Sequence, residues 1–147
     1  MIKNRLAVKD GVVRKVIFLS LLLMMLSGCG DIGKYDGVYD CDISQALNDK
    51  TVEYGGNYVF PKDTKKAKIK LENAVLTIYG MNSGDYIGHK MSKPSKDDIN
   101  DDVYDGDFFY KKDDIMEAFS FDRKLATLTI NREGMKSIQQ FSGCEKQ

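Results

Sequence analysis

Tryptophan is absent from this 147-residue chain, proline occurs twice and histidine once. With His89 the lone histidine and only three cysteines, none in a Cys-x-x-Cys pair, no tetrahedral zinc set assembles. A Gly-x-Ser-x-Gly nucleophile turn is also missing. The acidic run from Asp97 to Asp107 is the remaining metal candidate. Asp101, Asp105, Gly106 and Asp107 partly mimic a calcium loop, but Val103 stands at its third position and Lys112 at its twelfth, where a bidentate Glu belongs. A solvated negative loop is expected there, His89 is expected to be a strand residue, and the inventory predicts a protein that is not an enzyme, with no metal and no cofactor.

A long apolar run is lacking too. The longest, Val16 to Leu26, has eleven residues, against about 20 for a helix that crosses a bilayer. Five basic residues (Lys3, Arg5, Lys9, Arg14, Lys15) and one acid (Asp10) precede it, and small residues follow. A basic flank, a short apolar core and small residues are the pattern of a secretory signal over residues 1–28. The long basic region with Asp10 suggests a translation start nearer Val12 or Val13.

The sequence Leu26-Ser27-Gly28-Cys29 resembles the lipobox of bacterial lipoproteins. The resemblance implies a diacylglyceryl group on the Cys29 sulfur, cleavage after Gly28, and fatty acylation of palmitate type on the new terminus. Partnership with a membrane would then run through that covalent lipid, since stable anchoring takes more than one buried chain. Gly30 rather than Asp follows Cys29, and in enteric-type sorting that favours the outer membrane over the inner, although Asp31 comes next. Residues 29–34 form a short tether, with a reach on the order of 12 Å, so the domain is expected close to the membrane and facing the periplasm.

Removing residues 1–28 takes five of the 22 basic residues and one of the 22 acids, leaving 17 against 21. This mildly acidic balance gives no support to nucleic-acid binding or to electrostatic attachment to anionic lipid. If Cys29 carries lipid, Cys41 and Cys144 are the remaining thiols, and in an oxidising compartment they are expected to pair as a disulfide.

Residues 35–147 read as one β-rich domain. Tyr35, Gly37, Tyr39 and Cys41 alternate with Asp36, Asp40 and Asp42, the period of a half-buried strand. The segment 43–50 is the best helical candidate, and residues 51–60 are expected to be a strand with a bend at Gly55-Gly56. Turn signals then recur every eight to twelve residues, and Ile115, Glu117, Phe119 and Phe121 fall on one face. The segment 92–102 reads as a surface loop. These features predict an all-β fold: a small antiparallel barrel or curled sandwich of about eight strands, with one short helix after the first. Phe141 and Cys144 have opposite parity, so both face inward only if a bulge forms at Ser142-Gly143.

Such a domain suits a binding or structural module of the cell envelope, with a protein partner there. Two narrower readings accompany it. A lipocalin-like barrel would carry a small apolar ligand among Tyr35, Tyr39, Phe108, Phe109, Phe119 and Phe121, which otherwise form an ordinary core. Alternatively, "YDCD" at residues 39–42, the late Cys144, "SGDY" at 83–86 and "FFYKKDD" at 108–114 are similar to membrane-bound inhibitors of C-type lysozyme. Two residues separate Ser-Gly from Tyr in that family, against Asp85 alone here, and its Thr-Lys-Gly loop has no counterpart. The resemblance therefore carries over Ser83 and Tyr86 as binding residues.

Overall fold

A computed structural model describes residues 32–54 and 58–147. The lipobox, Cys29 and the expected bend at Gly55-Gly56 lie outside the described residues. After a 3-10 turn (Ile32–Tyr35), alternating apolar and polar residues give eight strands: β1 (Gly37–Leu47), β2 (Lys66–Glu72), β3 (Val75–Met81), β4 (Gly84–Lys90), β5 (Asp107–Lys112), β6 (Ile115–Ser120), β7 (Leu125–Arg132) and β8 (Met135–Lys146). One short helix, α1 (Asp49–Tyr54), follows β1. The strands form one sheet in the order β4-β3-β2-β1-β8-β7-β6-β5, with every neighbouring pair antiparallel. The sheet curls into a nearly closed barrel.

Two four-stranded meanders, β1–β4 and β5–β8, are joined where β1 pairs with β8. The hairpin turns carry the local chemistry such pairing needs. Between β7 and β8, Glu133 and Gly134 both have positive φ (53° and 80°), the signature of a tight turn whose twist matches the strands. The open seam of the barrel lies between β4 and β5, and not where the first and last strands meet. One bridge crosses it: Ser92 N donates to Phe109 O (2.9 Å) and Phe109 N to Ser92 O (2.7 Å).

Inward side chains fill the interior. Ile69, Leu71, Leu76, Ile78, Leu128 and Phe141 are completely buried, each stabilising the fold by about 1.5–3 kcal/mol through transfer from water. Tyr39 packs edge-on against Phe119 and Tyr35 against Phe108. Two of the six aromatics proposed to line the interior do not. Phe109 follows Phe108 directly in β5, so the pleat sends it to the outer face, where it pairs with Ala118. Phe121 lies beyond the end of β6 and is partly exposed.

The stretch after β1 also departs from expectation. Residues 43–47 are strand, not helix, because they pair with Ser137–Phe141 of β8. Helix begins only at Asp49, after Asn48 accepts hydrogen bonds at its side-chain oxygen from Thr51 N (3.0 Å) and Thr51 Oγ1 (2.6 Å), an N-cap. Residues 51–54, read as strand, belong to this helix. The chain then folds inward and buries Val59 and Phe60. Two glutamines hold it there as surrogate backbone. Gln45 accepts from Phe60 N (2.8 Å) and donates to Phe60 O (3.3 Å), and Gln139 donates to Tyr58 O (3.0 Å).

Cys41 and Cys144 are disulfide-bonded, with Cα atoms 4.2 Å apart. The bulge that the parity of Phe141 and Cys144 requires is present. Asp40 pairs with Glu145 but Asp42 with Ser142, so β8 holds one extra residue there. Gly143 takes the left-handed conformation (φ 59°) that absorbs it. The bond therefore staples the centre of the sheet, where the two meanders meet, and not its open edge. β1 runs on six residues past Cys41.

Candidate functional site

The most unusual chemistry among the described residues sits at the seam. β6 points Ile115, Glu117 and Phe119 toward the interior, opposite Ile130, Leu128 and Ala126 of β7. Glu117 is therefore a completely buried carboxylate, which would cost several kcal/mol if left unpaired. It is met by β4, which has no strand partner on its seam side. The His89 backbone N–H donates to Glu117 Oε2 (2.9 Å) and less directly to Oε1 (3.2 Å). Tyr86 Oη donates to Oε1 (2.6 Å), and His89 Nδ1 lies 2.6 Å from the same oxygen. A carboxylate only accepts, so in this network Nδ1 carries the hydrogen.

Glu117 thus does for β4 part of what a neighbouring strand would do. The His89 ring also stacks flat on Tyr110 of β5, with centroids 4.2 Å apart and planes 1° from parallel, so that side chains close the seam where backbone does not. Gly88 makes room for this, since a side chain there would run into the Glu117 carboxylate. Burial, then the hydrogen bond to Glu117, pushes the Tyr86 hydroxyl far above the usual phenol range. It stays a donor at any ordinary pH.

A histidine whose Nδ1 is fixed by a carboxylate presents Nε2 as a base or ligand. Here the partners such a role needs are not gathered. No group of three or more His, Cys, Asp or Glu placed to hold a metal ion occurs among the described residues. Within the cluster Tyr86 Oη, the His89 backbone N–H and His89 Nδ1 all converge on the Glu117 carboxylate.

Ser83 and Tyr86 are not presented together. Ser83 is exposed in the turn between β3 and β4, whereas Tyr86 is buried and packs edge-on against Tyr58 (5.6 Å). The acidic run is also divided among separate partners. Asp98 accepts from Ser95 N (3.0 Å) and Ser95 Oγ (2.8 Å), bonds that hold its carboxyl below the usual range. Asp105 accepts from Lys93 (2.7 Å) and Tyr35 Oη (3.0 Å), with the same effect, the Lys93 bond contributing most. Asp107 turns into the fold beneath the loop and is buried. The loop is bound down on both sides: Met91 and Pro94 are buried, and Arg123 donates to the Asp102 carbonyl.

Composition gave no signal for the seam. Glu117 shares the inward face by parity, but nothing local distinguishes it from a solvent-facing glutamate, because its partners come from a strand 28 to 31 residues earlier. Cavities among the described residues lie elsewhere. One of 130 Å³ lies under the 91–106 loop, and one of 110 Å³ is lined by Thr51, Tyr58, Ile130 and Ser137 among others. No protein-family model, no curated protein and no solved structure matches this chain.

Proposed function

We propose that this protein is an exported lipoprotein: a disulfide-stapled barrel held to an envelope membrane by lipid on Cys29, binding a partner through its outer surface and not acting as a catalyst. The pairing of the cysteines carries the reading. Cys41 and Cys144 are bonded to each other, which suits an oxidising compartment and leaves Cys29 as the odd thiol behind Leu26-Ser27-Gly28. The filled interior supports an outer-surface role over carriage of a ligand inside. Tyr39, Ile69, Leu71, Ile78, Leu128 and Phe141 are buried there against one another. The outer membrane is the favoured address, on the Gly30 argument.

The test is metabolic labelling of cells expressing the full chain with radioactive palmitate, followed by fractionation. Wild-type protein is expected to be labelled and to sediment with membranes, and Cys29→Ala to lose both label and sedimentation. Equal labelling of the two, or three free thiols in the purified protein, would overturn the reading.

A further inference from the structure

We infer that the end of the barrel carrying the 3-10 turn (Ile32–Tyr35) rests on the membrane surface, with Tyr104 and Phe121 set among the lipid headgroups. The inference rests on the lipoprotein reading above and adds an orientation to it. Gly30 and Asp31 separate Cys29 from Ile32. A chain spans at most about 3.3–3.6 Å per residue, so lipid on Cys29 keeps Ile32 within roughly 11 Å of the anchored residue. β1 is 11 residues long and, at about 3.3 Å per residue, carries its far end roughly 35 Å away. The tether therefore brings one end of the barrel to the membrane and leaves the other clear of it.

Contacts of the 3-10 turn show what else stands at the tethered end. Tyr35 Oη donates to Asp105 Oδ2 (3.0 Å), and the Tyr35 ring lies 5.1 Å from that of Phe121. The turn is thus packed against the end of the 91–106 loop and the β6–β7 turn. These two segments are tied together, since Phe121 N donates to Gly106 O (3.1 Å) and Asp107 N to Tyr104 O (3.2 Å). Among the described residues the exposed large apolar side chains are Val52, Ile87, Tyr104 and Phe121, and both aromatic ones are at this end. Tyrosine, apolar across the ring and wet at the hydroxyl, suits the headgroup layer, and phenylalanine inserts beside it. Val52, by contrast, stands in α1 at the far end of β1, where Asn48 Nδ2 donates to Gly134 O (2.8 Å) in the β7–β8 turn.

The charges around the two rings are matched. Lys34 and Lys93 both pair with Asp105 (3.7 and 2.7 Å), and Lys124 pairs with Glu145. Arg123 lies between Asp101 (4.0 Å) and Asp107 (3.8 Å) and stacks over the Tyr104 ring at 4.9 Å. Pairs of this kind give little net attraction to anionic lipid and little repulsion from it, so the contact is left to the aromatic rings and the anchor. Much of the acidic run is also carried aside. Pro94 and Ile99 line a cavity with Phe109, Ala118 and Thr127, which places the middle of the loop, with Asp97 and Asp98, on the flank of the barrel.

The test uses the absence of tryptophan from the chain. Phe121→Trp, Tyr104→Trp and Val52→Trp each introduce one emitter at an exposed position. The protein is expressed as the full chain, purified from membranes and reconstituted into vesicles of phosphatidylethanolamine and phosphatidylglycerol. Phosphatidylcholine brominated on its acyl chains is included as quencher, and flotation of the vesicles is measured on the same samples. Emission at positions 121 and 104 is expected to fall at least twofold with brominated lipid, and emission at position 52 to stay unchanged. Flotation without quenching at positions 121 and 104, or with equal quenching at position 52, would overturn the orientation and leave the lipoprotein reading standing. Wild-type protein that does not float, or Cys29→Ala that floats as well as wild type, would overturn that reading and the orientation with it.

Discussion

A methyl group at position 88 would sit 2.4 Å from Glu117 Oε2 and 2.9 Å from the Leu76 carbonyl oxygen. The first contact is with a side chain fixed by its bonds to His89 and Tyr86, and the second is with backbone, so neither neighbour can give way cheaply. Gly88→Ala is therefore expected to destabilise the domain by about 1–3 kcal/mol, the ordinary range for overpacking, measured by urea unfolding. Because part of that clash is with Glu117, the cost should be smaller when Glu117 is already truncated to Ala. Strict additivity of the two substitutions would show that the backbone contact alone matters. Nothing local in the sequence singles this glycine out. Its reason lies across the barrel, in a carboxylate that arrives from β6.

At the scale of elements, local pattern and distant pairing divide what could be foreseen. Alternation and recurring turn residues predicted an all-β fold of about eight strands, as found, because those signals act within a few residues. The bulge was also legible, since two buried residues of opposite parity, Phe141 and Cys144, cannot share a face in a regular strand. Residues 43–47 were misjudged because their fate is settled by β8, some ninety residues later, which outweighs their weak helical preference. The plug at Tyr58–Phe60 was illegible for a related reason. Gln45 and Gln139 look like surface residues, yet they pair with backbone that would otherwise be buried without partners. Gln45→Ala would leave Phe60 N and O without these bonds. It is expected to cost about 1–3 kcal/mol and to raise hydrogen exchange at Phe60 well before global unfolding. Unchanged protection at Phe60 would mean that packing alone holds the plug.

Among the described residues, the decisive contact is the one between the first strand and the last. Each meander is built from neighbouring hairpins, which close short loops at little entropic cost. The β1–β8 pairing is different: it joins residues about a hundred positions apart, and it is the strand-to-strand ladder that connects the two halves into one sheet. The disulfide, with a sequence separation of 103, is placed on that pairing and not on the seam, which Glu117, His89 and Tyr110 already close. In the chain-entropy account a loop of this length is worth up to roughly 4–5 kcal/mol, a large part of the stability of a domain this size. Replacing both Cys41 and Cys144 by Ala is therefore expected to lower the urea midpoint sharply. Refolding should also slow, because the non-local β1–β8 contact must then be found without a covalent link. The local hairpins ask nothing of the bond, so strand content should survive in conditions where the β1–β8 amides already exchange. If those amides remain as protected as the β6–β7 amides in the Cys-free protein, the halves are held together by their shared core, and the staple serves some purpose other than joining them.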